Sequence, residues 1–119
     1  MAQDNSIDQA ALNELFESVG GDGDFMDEII EEFFQDTPRQ MAIIQDSLAS
    51  GDAEALRRAA HSLKSNSASF GARQLHKLCM ELEDMGKAGE LDGAADLAAE
   101  IEGEYKLVYR ELVAYRKES

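Results

Sequence analysis

His61 sits in a run of residues whose types and spacing suit phosphate chemistry. At helical spacing the positions sharing its face, i−4, i−3, i+3 and i+4, hold Arg57, Arg58, Lys64 and Ser65. Three are cations and one is small. A nearby cation disfavours a protonated imidazole and leaves a ring nitrogen with a free lone pair near neutral pH. The same cations favour a negative group once it is attached. The set therefore suits a nucleophilic histidine that carries an anion. A surface histidine without a role has the same spacing, so local chemistry leaves both readings open.

The charge distribution singles out the same region. The chain has 119 residues, with 25 acidic and 11 basic side chains and a net charge of -14. Between Arg57 and Met80 there is no Asp or Glu. That window carries Arg57, Arg58, Lys64, Arg73 and Lys77, so it is +5 in a chain whose remainder is -19. It reads as a local anion site. Acids simply avoiding a helix of small residues is the plainer alternative. Each helical residue advances roughly 100°, so His61 lies roughly 140° from Leu56 and roughly 160° from Leu63, off the apolar stripe and facing water.

His76, Cys79 and Glu83 also have helical spacing that could present metal ligands. Cys79 falls on an apolar stripe, where a free cysteine acts as a small hydrophobe, and three such residues on one helix form no known metal motif. No metal site is expected, and His76 reads as a surface residue.

Composition bounds what surrounds these residues. The length fits one domain, 1–119. The negative charge argues against nucleic acid and against anionic membranes, since both need Lys and Arg. A single cysteine gives no disulfide framework and fits a reducing compartment. No apolar run approaches a membrane span, and Met1 to Asp8 lacks the basic and apolar regions of a leader. A cytoplasmic, monomeric protein is expected. Met1 and the charged end from Arg116 to Ser119 favour a free-standing chain. No Gly-rich phosphate loop or Walker lysine is present, so no ATP-binding site is expected.

The elements that must position His61 are helices. Ala, Leu, Glu and Asp dominate, there is one proline, and apolar residues recur at three and four. Asp8 can cap a short helix over 8–19, ended by Gly20 and Gly21. Longer helices are expected at about 24–50, 52–70, 71–88 and 93–117. Asp24 can cap the first of these, and Pro38 predicts a kink or break inside it. Gly51, Gly71, Gly86 and Gly89 mark later ends. Short connections make neighbours antiparallel. The fold expected is all-α, an up-down antiparallel four-helix bundle with a short extra N-terminal helix.

The stretch from Ala60 to Ala72 resembles the signature of histidine phosphotransfer (HPt) domains. That signature runs His-x-Leu-Lys-Gly, then small residues, an apolar residue, Gly and often Ala. His61, Leu63, Lys64, Phe70, Gly71 and Ala72 match. Ser65 stands where the family most often has glycine. The Asp24-Phe25-Met26 stretch and the run from Leu78 to Glu83 also fit.

The resemblance implies a four-helix bundle with an exposed histidine, and a chain that is not itself an enzyme. His61 would accept a phosphoryl group, usually on Nε2, from a receiver-domain aspartyl phosphate of a hybrid histidine kinase. It would pass the group to the aspartate of a response regulator. Lys64 would steady the phosphoryl oxygens, and Ser65 would be the small residue at the contact. No cofactor of its own is implied; Mg²⁺ is expected on the partner receiver. Leu15, Ile29, Ser62 and Ser65 are the expected receiver contacts, with Arg57 and Arg58 beside the histidine. Leu12, Leu15, Phe25 and Ile29 read equally well as packing between the first two helices, and Asp22 and Asp24 as caps. Two competing readings are a non-phosphorylated adaptor that binds a receiver or another signalling partner, and the phosphotransfer domain of a chemotaxis-type kinase. The retained His61 and Lys64 argue against the adaptor.

Overall fold

Aspartates and glycines set the helix ends, and apolar stripes decide how the helices meet. In a computed structural model the described residues are 6–118, with side chains as far as Arg116. They form five α-helices and no strand: α1 (Gln9–Ser18), α2 (Gly23–Ser50), α3 (Ala53–Ser69), α4 (Arg73–Ala88) and α5 (Ala94–Glu118). The expectations placed on Met1 to Asn5 and on Ser119 lie outside the described residues.

Each of the first three helices begins on an aspartate whose carboxylate accepts orphan backbone amides. Asp8 takes the amide of Ala10, Asp22 those of Asp24 and Phe25, and Asp52 that of Ala55. Asp22, and not Asp24, is therefore the cap of α2. Asp24 lies in the first turn, where its charge suits the positive end of the helix dipole.

Pro38 does not break α2, which runs unbroken through 28 residues. The proline has no N–H to give the Phe34 carbonyl. It lies on the exposed side, while Phe33, Thr37, Met41 and Ile44 are buried on the other. Burial of that stripe outweighs one missing hydrogen bond.

The helices pack in a ring: α2 on α3, α3 on α4, α4 on α5 and α5 back on α2, with α1 against α3. The core between them holds Ile30, Ile44, Leu56, Leu63, Leu82, Ile101, Val108 and Leu112. The most extensive contact joins α3 to α4. Here Gly86 lies against the α3 backbone. A Cβ added to it would come within 2.9 Å of Arg57 Cβ and 3.0 Å of the Ala53 carbonyl. Only glycine lets the two backbones approach so closely.

Gly71 does a second job at the end of α3. Its φ is +72°, and an added Cβ would strike Ala11 and Asp8. Its carbonyl accepts the Asp8 amide at 2.8 Å, and Arg73 pairs with the Asp8 carboxylate. The turn that follows the histidine helix is thereby fastened to the start of α1. The amides of Ser6 and Ile7 donate to the Glu111 carboxylate of α5, which holds the chain ahead of α1.

Candidate functional site

His61 lies in the middle of α3 with 54% of its side chain exposed, as its angle from the apolar stripe predicts. Its Nδ1 is 2.9 Å from Oε2 of Glu83 on α4. Lys64, one turn along α3, sets its Nζ 2.7 Å from Oε1 of the same carboxylate. Lys87 Nζ stands 3.9 Å from Oε2. Glu83 is 3% exposed, so a nearly buried carboxylate lies beneath the histidine and one lysine and ties both to α4.

The close packing of α3 and α4 makes this geometry possible. Gly86 is one turn from Glu83, and Arg57 is one turn from His61. The Gly86–Arg57 approach therefore sits next to the His61–Glu83 hydrogen bond. Numbers rise along α3 as they fall along α4, so these two helices run antiparallel.

The chemistry of Glu83 fixes that of His61. The hydrogen bond from Lys64, and then that from His61, hold the Glu83 carboxyl below the usual carboxylate range against the opposing effect of burial. Glu83 is thus ionised near neutral pH and can only accept hydrogen bonds. Nδ1 must carry a hydrogen and donate it. In the neutral ring this leaves Nε2 with the free lone pair.

This corrects the charge reading of the sequence. The window from Arg57 to Met80 has no acids in sequence, but acids from just outside it reach its cations. Arg57 donates Nε and Nη2 to Glu54 at 3.0 and 2.6 Å, and Arg58 lies 3.4 Å from the same carboxylate. These contacts hold the Glu54 carboxyl below its usual range, Arg57 first. What touches the imidazole is a carboxylate, and the two arginines are turned to Glu54.

The other candidates do not converge. His76 Nδ1 faces the Lys64 carbonyl at 3.1 Å. Cys79 is buried, and burial pushes its thiol up to about 12. Among the described residues no three His, Cys, Asp or Glu are grouped to hold a metal.

A match along the sequence fits this site. The family model described as the Hpt domain matches residues 28–111, which include α3, α4 and most of α2 and α5. This chain belongs to the Hpt domain family. Similar Hpt proteins include histidine-containing phosphotransfer protein 2 of Arabidopsis thaliana, 27% identical over 77% of this chain and 61% of that protein. The multistep phosphorelay regulator 1 of Schizosaccharomyces pombe is 27% identical over 79% of this chain, but only 32% of its own length is matched. The phosphorelay protein LuxU of Vibrio vulnificus is 29% identical over 81% of this chain and 83% of its own. The crystal structure of histidine-containing phosphotransfer protein B of Pseudomonas aeruginosa superposes with a TM-score of 0.90. It is 30% identical, covering 98% of this chain and 99% of that one. A phosphotransfer role follows for this Hpt chain.

The expected docking residues of the Hpt chain are spread over three helices. Ser65 is exposed and Ser62 half-buried on α3. Ile29 of α2 is half-buried and lines a groove closed on the other side by Asn66 and Ser69 of α3, which share a helix face with Ser62. Leu15 of α1 is half-buried against the core. Leu12 is fully buried and belongs to the packing, whereas Phe25 is 48% exposed at the start of α2. Among the described residues no helix is long and apolar enough to cross a membrane.

Glu83, weighed in the sequence only as one of three possible metal ligands, is instead the carboxylate beneath His61 and Lys64. Its signal was there: it lies one turn beyond Cys79 on the apolar stripe of α4, and a charge on a buried stripe calls for a partner.

Proposed function

We propose that this chain is a phosphorelay carrier in which His61 Nε2 accepts a phosphoryl group from a receiver-domain aspartyl phosphate and returns it to the aspartate of a second receiver. The observation that carries the reading is the Glu83 hydrogen bond to Nδ1, which leaves Nε2 unprotonated on an exposed ring. In the forward step the Nε2 lone pair attacks phosphorus. The P–N bond forms, the P–O bond to the aspartate breaks, and the carboxylate leaves with its electron pair. No proton is lost from Nε2. The phosphorylated ring keeps its Nδ1 hydrogen and gains positive charge, and the Glu83 carboxylate beneath it offsets that charge. Passing the group on is the same step in reverse.

Lys64 gives one of its three donors to Glu83, and the others are available to phosphoryl oxygens. Mg²⁺ and the reacting aspartate belong to the receiver, and the chain is a carrier without kinase chemistry of its own. The four long helices form an up-down antiparallel bundle, with α1 as the extra helix against α3. Ser62 and Ser65 meet the receiver, with Leu15 and Ile29 on the adjoining face and Arg57 and Arg58 beside the histidine. A monomer in the cytoplasm, with a hybrid kinase and a response regulator as partners, completes the reading. Chasing label from one phosphorylated receiver, through this chain, to a second receiver tests it. Label that never enters, or enters and never leaves, counts against it.

A further inference from the structure

On the edge of the ring opposite the α3–α4 site, α2 and α5 leave a solvent-open aromatic groove. Phe34 and Pro38 of α2 line one side, and Tyr105 and Tyr109 of α5 the other. The Phe34 and Tyr109 ring centroids are 4.5 Å apart, and those of Tyr105 and Tyr109 are 6.2 Å apart. Tyr109 is 45% exposed. Lys106 and Arg110 form the rim.

That rim stands out in a chain of net charge -14. Arg39, Arg57, Arg58, Lys64, Arg73, Lys87 and Arg116 each pair with a carboxylate. Among the described basic side chains, only Lys77, Lys106 and Arg110 have no carboxylate partner. Two of the three flank this groove; Glu102 lines its extension toward Gln45 but pairs with neither, so unpaired positive charge adjoins the exposed aromatic surface at the Tyr109 end.

We infer that the α2–α5 groove is a second docking surface, remote from His61, for an extended proline-containing segment of a partner protein flanked by acidic residues. Aromatic-lined grooves take polyproline II segments, whose rings stack on tyrosine and whose preformed shape lowers the entropy of binding. Lys106 and Arg110 select for acidic flanks by charge complementarity. The groove continues along α2 from Phe34 to Gln45. At 1.5 Å per residue that is about 16 Å of helix. It matches about five residues of polyproline II at 3.1 Å each. Because it lies across the ring from His61, the groove can hold a partner while a receiver engages the histidine.

The test is an NMR titration of the whole chain with a synthetic peptide of core Pro-Leu-Pro-Pro-Leu and Glu-rich flanks. Saturable shifts confined to residues 34–45 and 102–110 are expected. The doubly substituted chain, Lys106→Glu with Arg110→Glu, should bind about tenfold more weakly. Both side chains are on the exposed surface, so the fold should persist; Tyr109→Ala, which removes a stacking platform, should weaken binding independently. The inference is overturned by no saturable shift, by shifts centred on His61, or by equal affinity after the double charge reversal. Equal perturbation of the groove by a lysine-flanked peptide, or tighter binding of an acidic helical peptide, overturns it as well.

Discussion

Nδ1 of His61 and Oε2 of Glu83, on different helices and 22 positions apart, lie 2.9 Å from each other. The first atom sits on an exposed ring and the second on a nearly buried carboxylate. The contact lets a residue hidden in α4 decide which nitrogen of an exposed histidine is nucleophilic. Without Glu83, the tautomer of His61 is set only by the ring's own preference.

Glu83→Ala should slow phosphoryl acceptance. Hydrogen bonds to charged groups contribute about 1.5–3 kcal/mol, so the rate should fall about 10- to 100-fold. Glu83→Gln keeps an acceptor oxygen and should lose less. The ¹⁵N shifts of the His61 ring separate positioning from mere stability. Wild type should report hydrogen on Nδ1, and Glu83→Ala a loss of that preference. An unchanged tautomer would remove Glu83 from the mechanism.

Lys64→Ala deprives a carboxylate that is 3% exposed of its nearest cation. Lys87, at 3.9 Å, remains. A loss of about 1–2 kcal/mol in urea unfolding is expected, with an unchanged m-value. The variant should also transfer more slowly or hold its phosphohistidine more briefly. Unchanged kinetics would confine Lys64 to the support of Glu83.

The pH dependence follows from the depressed Glu83 carboxyl. Its stabilising effect is complete above the ordinary glutamate pKa of about 4.3, and it is lost as pH falls through the lower folded-state value. The stability gap between wild type and Glu83→Gln should therefore shrink as pH falls below about 4.3. Unfolding at a series of pH values measures this. A gap that widens on acidification would show the opposite sign of linkage.

Gly86→Ala should push α3 and α4 apart. The new methyl meets the α3 backbone at about 3 Å. Alanine favours a helix over glycine by about 1 kcal/mol, but overpacking costs about 1–3. A net loss of stability is expected, together with a weakened His61 hydrogen bond. At Gly103, also inside a helix, an added Cβ meets nothing within 4 Å. Gly103→Ala should leave stability equal or improved, and thermal unfolding of the pair provides the comparison.

These outcomes rest on features of unequal visibility in the sequence. The exposure of His61 was legible because helical periodicity alone turns it away from Leu56 and Leu63. The cap at Asp8 was legible because capping is local chemistry. Pro38 allowed a break that does not occur, because its cost is local while the burial of Phe33, Thr37 and Met41 that outweighs it is tertiary. The acid-free window showed only part of the local charge, for a related reason. Glu54 and Glu83 lie just outside it in sequence, yet Glu54 meets Arg57 and Arg58 one helical turn further on and Glu83 reaches across from α4. The aromatic groove was invisible, since it needs α2 and α5 side by side to exist.

The most direct measurement follows acid-labile, base-stable label from a phosphorylated receiver onto this chain and onto its His61→Gln variant. Label on the wild type and none on the folded variant is the predicted result. Label that persists on the variant, with His76 the next residue to replace, would contradict the assignment of His61. No label on either chain across a broad panel of receivers would contradict the carrier itself and favour an adaptor.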